Sequence, residues 1–454
     1  MDKFNELRKK YPEFIYEGYQ ITDENDKIRI TYCFNIPTLC EFHPEIIINK
    51  SIIKNKNVDQ NLFRYIVFHL GLIESISYYK STCSPKIIIK CGYLDNEQIS
   101  WFKKILYNGL GELLYRNNIN ISKDDLTSIE VLETNKPIFN NIYKGIGNLI
   151  PVGGGKDSCV SLEILKKENN NTCYIINAKE PSISCANAAG YSDDNIITIE
   201  RKLDKKIIEL NEKGFINGHT PFSAIVAFSA YLCAYLANKE YIILSNESSA
   251  NEPTVIGSSI NHQYSKSFEF EKDFDNYVKK YFKINLNYVS LLRGLSEYQI
   301  AMLFSKYKKY HPIFKSCNLG SKSIPWKWCC NCSKCLFVYI ILSPHLYKDE
   351  LVKIFGEDLF EKQELLDTFI EIIGESEVKP FECVGTIEEA KFAVSTLIKK
   401  LNKKDLPFLL KYYYEHYPLF LNDEKIMNYN NENNLNDYFN KLVMEALNND
   451  RRDS

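Results

Sequence analysis

The spacing of apolar positions changes character several times along the chain. Lys27 to Phe34 alternates apolar and polar side chains and Glu45 to Ile48 is an apolar run, so both predict strands. Gln60 to Tyr79 repeats apolar residues at three- and four-residue intervals, which predicts an amphipathic helix. Lys86 to Lys90 reads as a third strand and Asp95 to Tyr115 as a second helix, with Trp101, Phe102 and Tyr107 expected in the core rather than stacked on a base. Residues 1–145 therefore predict an N-terminal α+β domain that shapes a substrate site without a catalytic signature of its own. From residue 146 the order becomes strand, helix, strand, helix. Strands are expected at Leu149 to Val152, Thr172 to Asn177, Ile196 to Ile199, Tyr241 to Ser245 and Asn287 to Val289. Helices are expected after Ser158, over Leu203 to Glu212, after Pro221 and over Glu271 to Phe282. Short apolar strands alternating with helices predict an α/β domain over 146–345, its parallel sheet covered on both faces. The remainder, 346–454, predicts a helical region with helices over Leu351 to Ile373 and Ile387 to Leu401, and a fraying Asn-rich tail over the last 25 residues. Between those helices Lys379 to Thr386 is a break that reads only as a loop packed by Phe381.

Charge narrows the partners. With 56 basic and 58 acidic side chains the net charge is −2, so nothing global favours nucleic acid or an anionic membrane. The longest nearly uncharged run, Pro221 to Ala237, is too short for a membrane span and predicts a buried helix. Fourteen cysteines with no apolar segment after Met1 set the expectation of a reducing, cytoplasmic location.

Candidate chemistry concentrates at Pro151-Val152-Gly153-Gly154-Gly155-Lys156-Asp157-Ser158, between an expected strand and an expected helix. Glycines allow positive φ and close approach of the backbone to an anion, and the N–H groups of the turn and helix start point toward it. The stretch is not a Walker A loop, which needs glycine at 150 and a hydroxyl at 157, where Ile150 and Asp157 stand. Nor does it satisfy G-x-G-x-x-G, which needs glycine at 158. It resembles the pyrophosphatase loop, S-G-G-x-D-S, of enzymes that cleave ATP between its α and β phosphates, with Gly153 where that loop usually carries serine. The expectation is a PP-loop domain of the adenine nucleotide alpha-hydrolase kind, holding ATP through Gly153, Gly154, Gly155, Lys156, Asp157 and Ser158. A plain helix cap is the structural alternative.

Ligands of parallel sheets bind at the carboxyl ends of the strands. Asn177, at one such end, is a candidate for the ribose or adenine; Ser245 to Glu252, with Glu247, and Asn261 to Ser267, with His262, follow another. Cys317, Cys329, Cys332 and Cys335 have the spacing C-x11-C-x2-C-x2-C, beside Cys330. Four thiolates suit a closed, structural zinc site; reduced cysteines near a packed Trp326-x-Trp328 turn are the alternative.

Together, the P-V-G-G-G-K-D-S loop, S-N-E-x-S-A-N at Ser245 to Asn251, N-H-Q-Y-S-K-S-F-E-F-E at Asn261 to Glu271, the W-C-x-x-C-x-x-C stretch and K-P-F-E-C-V-G-T at Lys379 to Thr386 resemble one family. It is the ATP-dependent UDP-N-acetyl-alpha-D-muramoyl-L-alanyl-L-glutamate epimerases of bacterial wall synthesis. The resemblance implies ATP and Mg²⁺, release of AMP and diphosphate, and inversion of the terminal L-glutamate of a nucleotide peptide. Lys156 is then expected on the phosphates and Asp157 on the magnesium, with His262 first among the proton carriers and His219, Glu247 and Cys383 behind it. The rival readings are a small-acid adenylating enzyme of the 7-cyano-7-deazaguanine synthase kind, a transfer-RNA thiolation enzyme, and a nucleotide-binding module without catalysis. The first would need ammonia and the second a basic surface; the third is at odds with intact Lys156, Asp157 and Ser158.

Overall fold

The computed structural model describes residues 2–452 apart from 141, 256, 258–259 and 321–324. Its strands, in chain order, are β1 Glu13–Asp23, β2 Lys27–Ile36, β3 Cys40–Phe42, β4 Glu45–Asn49, β5 Lys86–Ile89, β6 Ser128–Val131, β7 Asn148–Pro151, β8 Thr172–Ile176, β9 Ile196–Lys202, β10 Tyr241–Leu244 and β11 Asn287–Ser290. They form one 11-stranded sheet in the order β11-β10-β7-β8-β9-β4-β2-β1-β5-β6, with β3 beside β2. The five strands from β7 onward are mutually parallel, as their apolar runs predicted. The α+β segment is not a separate layer: β4 pairs antiparallel with β9 and carries the sheet straight through the expected boundary near 145. A bidentate pair between Arg201 on β9 and buried Glu74, at 2.7 and 2.8 Å, ties the helix Gln60–Tyr79 to that seam.

Helices cover both faces. Gln60–Tyr79, Phe222–Leu236 and Phe268–Phe282 pack in one apolar core. Lys156–Ile164, Glu297–Lys306, Ser333–Leu342 and Ile387–Lys400 pack in the other. The expected second helix is two, Asn96–Gly109 and Gly111–Arg116, with Leu110 outside helical geometry. Trp101 stacks on Tyr277 at 4.1 Å and Phe102 meets Phe228, so both are core as expected.

Two expectations are corrected. The helix expected over Leu351 to Ile373 is broken: Lys348–Phe355 ends at Gly356, whose φ of 95° stops it, and Leu366–Ile372 starts afresh. The tail expected to fray carries the helix Asp437–Arg452, which buries Phe439, Val443 and Leu447 against the second core. Among the described residues no helix is long and apolar enough to cross a membrane.

Candidate active site

The topology builds a crevice before any side chain is considered. From β7 the chain proceeds to β8 and β9 on one side, then returns to β10 and β11 on the other, so β7 and β10 are neighbours whose outgoing loops diverge. Such a switch point leaves a cleft at the carboxyl ends of the strands. The glycine loop follows β7; Ser245 to Glu252 follows β10.

Gly154 has φ 84°, and an added Cβ would stand 2.7 Å from the Ser182 nitrogen, so only glycine fits. Gly153 faces open space, with nothing within 4 Å of the same added atom. Gly155 caps the helix Lys156–Ile164 without a side-chain acceptor, and the Ser158 hydroxyl donates to the Gly155 carbonyl at 2.9 Å. The first N–H groups of this helix therefore face the loop's open side without a side-chain cap, as an anion seat requires.

Lys156, buried at the head of that helix, is ion-paired with Asp157 and with Glu297, which opens the helix Glu297–Lys306. Burial works against its charge, yet the two carboxylates outweigh burial and hold its pKa above the ordinary lysine value. Asp157, Glu247 and Glu297 each offer a carboxylate oxygen within 4.8 Å of the others. Burial, with Asp157, Glu247 and Glu389 nearby, pushes the Glu297 carboxyl well up against the pull of Lys156. Three hard oxygen donors around one small volume have the chemistry of a divalent-cation site. Of the expected residues, Lys156, Asp157 and Glu247 are thus brought together; Glu297 had no motif to announce it.

His262 lies in a neighbouring cavity of 590 Å³, lined among others by Glu112, His219, Lys266, Lys334 and Cys383. Its Nδ1 is 2.6 Å from Glu112 Oε2, and the His219 ring lies 4.2 Å away, tilted by 46°. Burial lowers its pKa, but Cys383 and Glu112 overcome burial and raise it to about 9. Burial takes His219 the other way, to about 4, and the charge on His262 adds to that shift. Lys266 Nζ lies 3.1 Å from Cys383 Sγ. Cys383 sits on the break Lys379 to Thr386, which lines this cavity and reaches the loop after β10. There Lys379 is paired with Glu252 and donates to the Gly385 carbonyl at 2.8 Å. A Cβ on Gly385 would meet Phe337 at 2.6 Å and Glu389 at 2.8 Å, so glycine lets the loop lie this close.

One buried arginine joins the two clusters. Arg293 donates to the carbonyls of Glu247 at 2.7 Å and of Lys266 at 2.6 Å, and pairs with buried Glu271 at 2.9 Å. Asn177 stands at the end of β8 as expected, but both ends of its carboxamide are engaged by the Arg201 backbone, at 2.6 and 3.0 Å.

The thiols of Cys317, Cys329, Cys332 and Cys335 converge. Sγ separations are 3.9 Å for Cys317 to Cys332, 3.7 Å for Cys329 to Cys335 and 3.5 Å for Cys332 to Cys335. Thiolates about 2.3 Å from a tetrahedral zinc stand about 3.8 Å from one another, so the spacing fits that ion. Cys330 points elsewhere, its thiol donating to the Phe355 carbonyl at 3.2 Å.

Comparison with known proteins adds sequence relationships. The family model for the MurL N-terminal domain matches residues 5–291, and that for the MurL C-terminal domain matches residues 313–425. Proteins named UDP-N-acetyl-alpha-D-muramoyl-L-alanyl-L-glutamate epimerase from Xanthomonas oryzae pv. oryzae, Micromonospora sp. and Salinispora tropica are each 32% identical to the chain, over 344, 343 and 345 residues. Each alignment spans 74% of this chain, and 75%, 76% and 74% of the respective relative. No solved structure matches.

Proposed function

The chain belongs to the MurL family, and from that premise we propose that it inverts the terminal L-glutamate of UDP-N-acetylmuramoyl-L-alanyl-L-glutamate after joining the glutamate to AMP. The reaction is an isomerisation in peptidoglycan precursor synthesis, and it consumes ATP with release of AMP and diphosphate. One observation carries this reading: the anion seat with its three carboxylates and the proton-carrying cavity lie side by side, with Arg293 bonded to the backbone of both.

The order of events follows from acidity. A free carboxylate beside Cα opposes loss of the Cα proton, because the carbanion would place a second negative charge on the same group. Acyl-adenylate formation removes that charge and makes the C–H bond far more acidic. In this reading the loop is a PP-loop: its N–H groups and Lys156 meet the charge developing on the phosphates. Asp157, with Glu247 and Glu297, would hold Mg²⁺, which supplies Lewis-acid neutralisation of phosphate charge when bound. The uridine half has room in a groove of 1250 Å³ lined by Tyr107, Tyr115, Asn261 and Lys272. Arg116 borders both this groove and the proton-carrying cavity. The four clustered cysteines would hold a zinc ion in a structural role, since four thiolates leave no position for water. A cytoplasmic setting suits fourteen cysteines that are all free.

Isotope exchange tests the activation step. Labelled diphosphate should pass into ATP only when the L-glutamyl substrate is present. Exchange indifferent to that substrate, or ADP in place of AMP, contradicts the reading.

A further inference from the structure

We propose that Cys383 is the base that takes the glutamyl Cα proton, and that Lys266, His262 and Glu112 are positioning residues that hold its thiolate toward the cavity. The assignment rests on the acyl-adenylate reading above, which makes that proton removable.

Geometry singles out this thiol. Its loop is pinned on one side by Lys379, which reaches Glu252 and the Gly385 carbonyl, and on the other by Thr386, which caps the helix Ile387–Lys400. Asn318 adds a bond of 3.0 Å to the adjacent Glu382. The side chain lines the 590 Å³ cavity instead of packing in either apolar core. The charged groups facing it come from every element around the cavity. Lys266 is 3.1 Å away, Lys334 opens onto it from the helix Ser333–Leu342, and His262 stands beside it. Arg116 and Glu112 come from the helix Gly111–Arg116, His219 from the chain before Phe222, and Glu382 from its own loop. Cations outnumber carboxylates. Burial raises the pKa of the thiol, but Lys266, Lys334 and His262 reverse that and bring it down to about 6.

Of the other proton carriers, His219 is neutral, but with burial and the charge on His262 taking its pKa down to about 4 it is a far weaker base than the thiolate. His262 holds its proton up to about pH 9 against Glu112 and serves as a donor at neutral pH, not as the base. Burial opposes a charge on Lys266, but Cys383 and Glu247 keep it protonated. Glu247 belongs to the carboxylate cluster at Lys156.

The step balances without an oxidant or reductant. The Cα–H bond breaks, the proton passes to Sγ, and the bonding pair moves into the activated acyl group as an enolate. That pair then takes a proton from water on the opposite face, and the thiol's proton neutralises the hydroxide left behind.

The test is run in D₂O with ATP, Mg²⁺ and the L-glutamyl substrate, reading Cα deuterium incorporated per AMP released. Cys383→Ala should lower this ratio by about 10²-fold or more, the usual worth of a positioned base; an unchanged ratio overturns the assignment. A second measurement needs no turnover: alkylation of wild-type protein by iodoacetamide, followed at the Cys383 peptide by mass spectrometry. Half-maximal reactivity near pH 6, moved upward by at least one pH unit in Lys266→Met, supports the assignment. An ordinary thiol profile, rising only above about pH 8, overturns it. Wild-type protein that releases no AMP contradicts the activation reading instead, and the alkylation profile still decides the role of Cys383.

Discussion

Replacing Lys156 by methionine isolates the charge at the centre of the anion seat. Lys156 and Glu297 are 4% and 5% exposed, whereas Asp157 is 34% exposed. Asp157 can rehydrate when its partner is lost, an effect worth about 0–1 kcal/mol. Glu297 cannot, and losing its buried partner costs about 3–5 kcal/mol, because its carboxylate must then either stay buried without a counter-charge or take up a proton. Lys156→Met should therefore lose about 3–5 kcal/mol in urea denaturation followed by tryptophan fluorescence in Mg²⁺-free buffer. Adding Glu297→Gln should return more than half of that loss, since no charge then remains to be desolvated. Mg²⁺ added to the single variant should recover part of it by replacing the lost positive charge. AMP formation should fall by about 10²–10³-fold, as when one preorganised donor is taken from developing charge. A single variant within about 1 kcal/mol of wild type, or a double variant no more stable than the single, would refute the reasoning.

Glu112→Gln tests the pH linkage of His262. Because the folded pKa is raised from 6.5 to about 9, the charged pair contributes stability that is fully present below pH 6.5 and lost as pH rises through about 9. The stability gap between wild type and variant should be open at pH 6.5 and closed at pH 9.5; a gap independent of pH contradicts the assigned charge. Gly154→Ala should destabilise the loop by about 1–2 kcal/mol through its positive φ and weaken ATP binding measured by calorimetry, while unchanged affinity would remove the loop from the nucleotide site. Purified protein should hold one zinc per chain by atomic emission, and Cys332→Ser should lose it together with thermal stability. Full metal retention in that variant contradicts the tetrathiolate site.

How far the chain can be read unaided depends on whether the determining contacts are local. Helix Gln60–Tyr79 follows from its three- and four-residue spacing, although it is buried almost all round instead of on one face, and strands β7 to β11 follow from short apolar runs; each signal lies within its own segment. The longest strand, Glu13–Asp23, carries no such signal: Phe14, Ile15 and Tyr16 are buried in succession, and its pairing with β2 shifts register between Tyr16 and Gly18. The merger of the two halves through β4 and β9 rests on a pairing between residues about 150 positions apart, which no short window contains. The site divides in the same way. Lys156, Asp157 and the cysteines declare themselves by motif. Glu112, with its partner His262 150 residues away, is an unremarkable glutamate on a short helix until the fold brings the two together. Glu297 is likewise masked as the first residue of a capped helix. The order of the proton carriers also changes: the resemblance put His262 ahead of Cys383, and the charges the fold gathers around them outweigh burial and reverse their protonation states.

The central claim is that this chain inverts an L-glutamyl stereocentre at the expense of ATP. It is tested most directly by incubating purified protein with ATP, Mg²⁺ and UDP-N-acetylmuramoyl-L-alanyl-L-glutamate, then assaying the chirality of the glutamate alongside AMP. The account predicts D-glutamate in the product, dependent on ATP and accompanied by AMP. D-glutamate formed with no nucleotide consumed, or AMP released while every glutamate stays L, would contradict it.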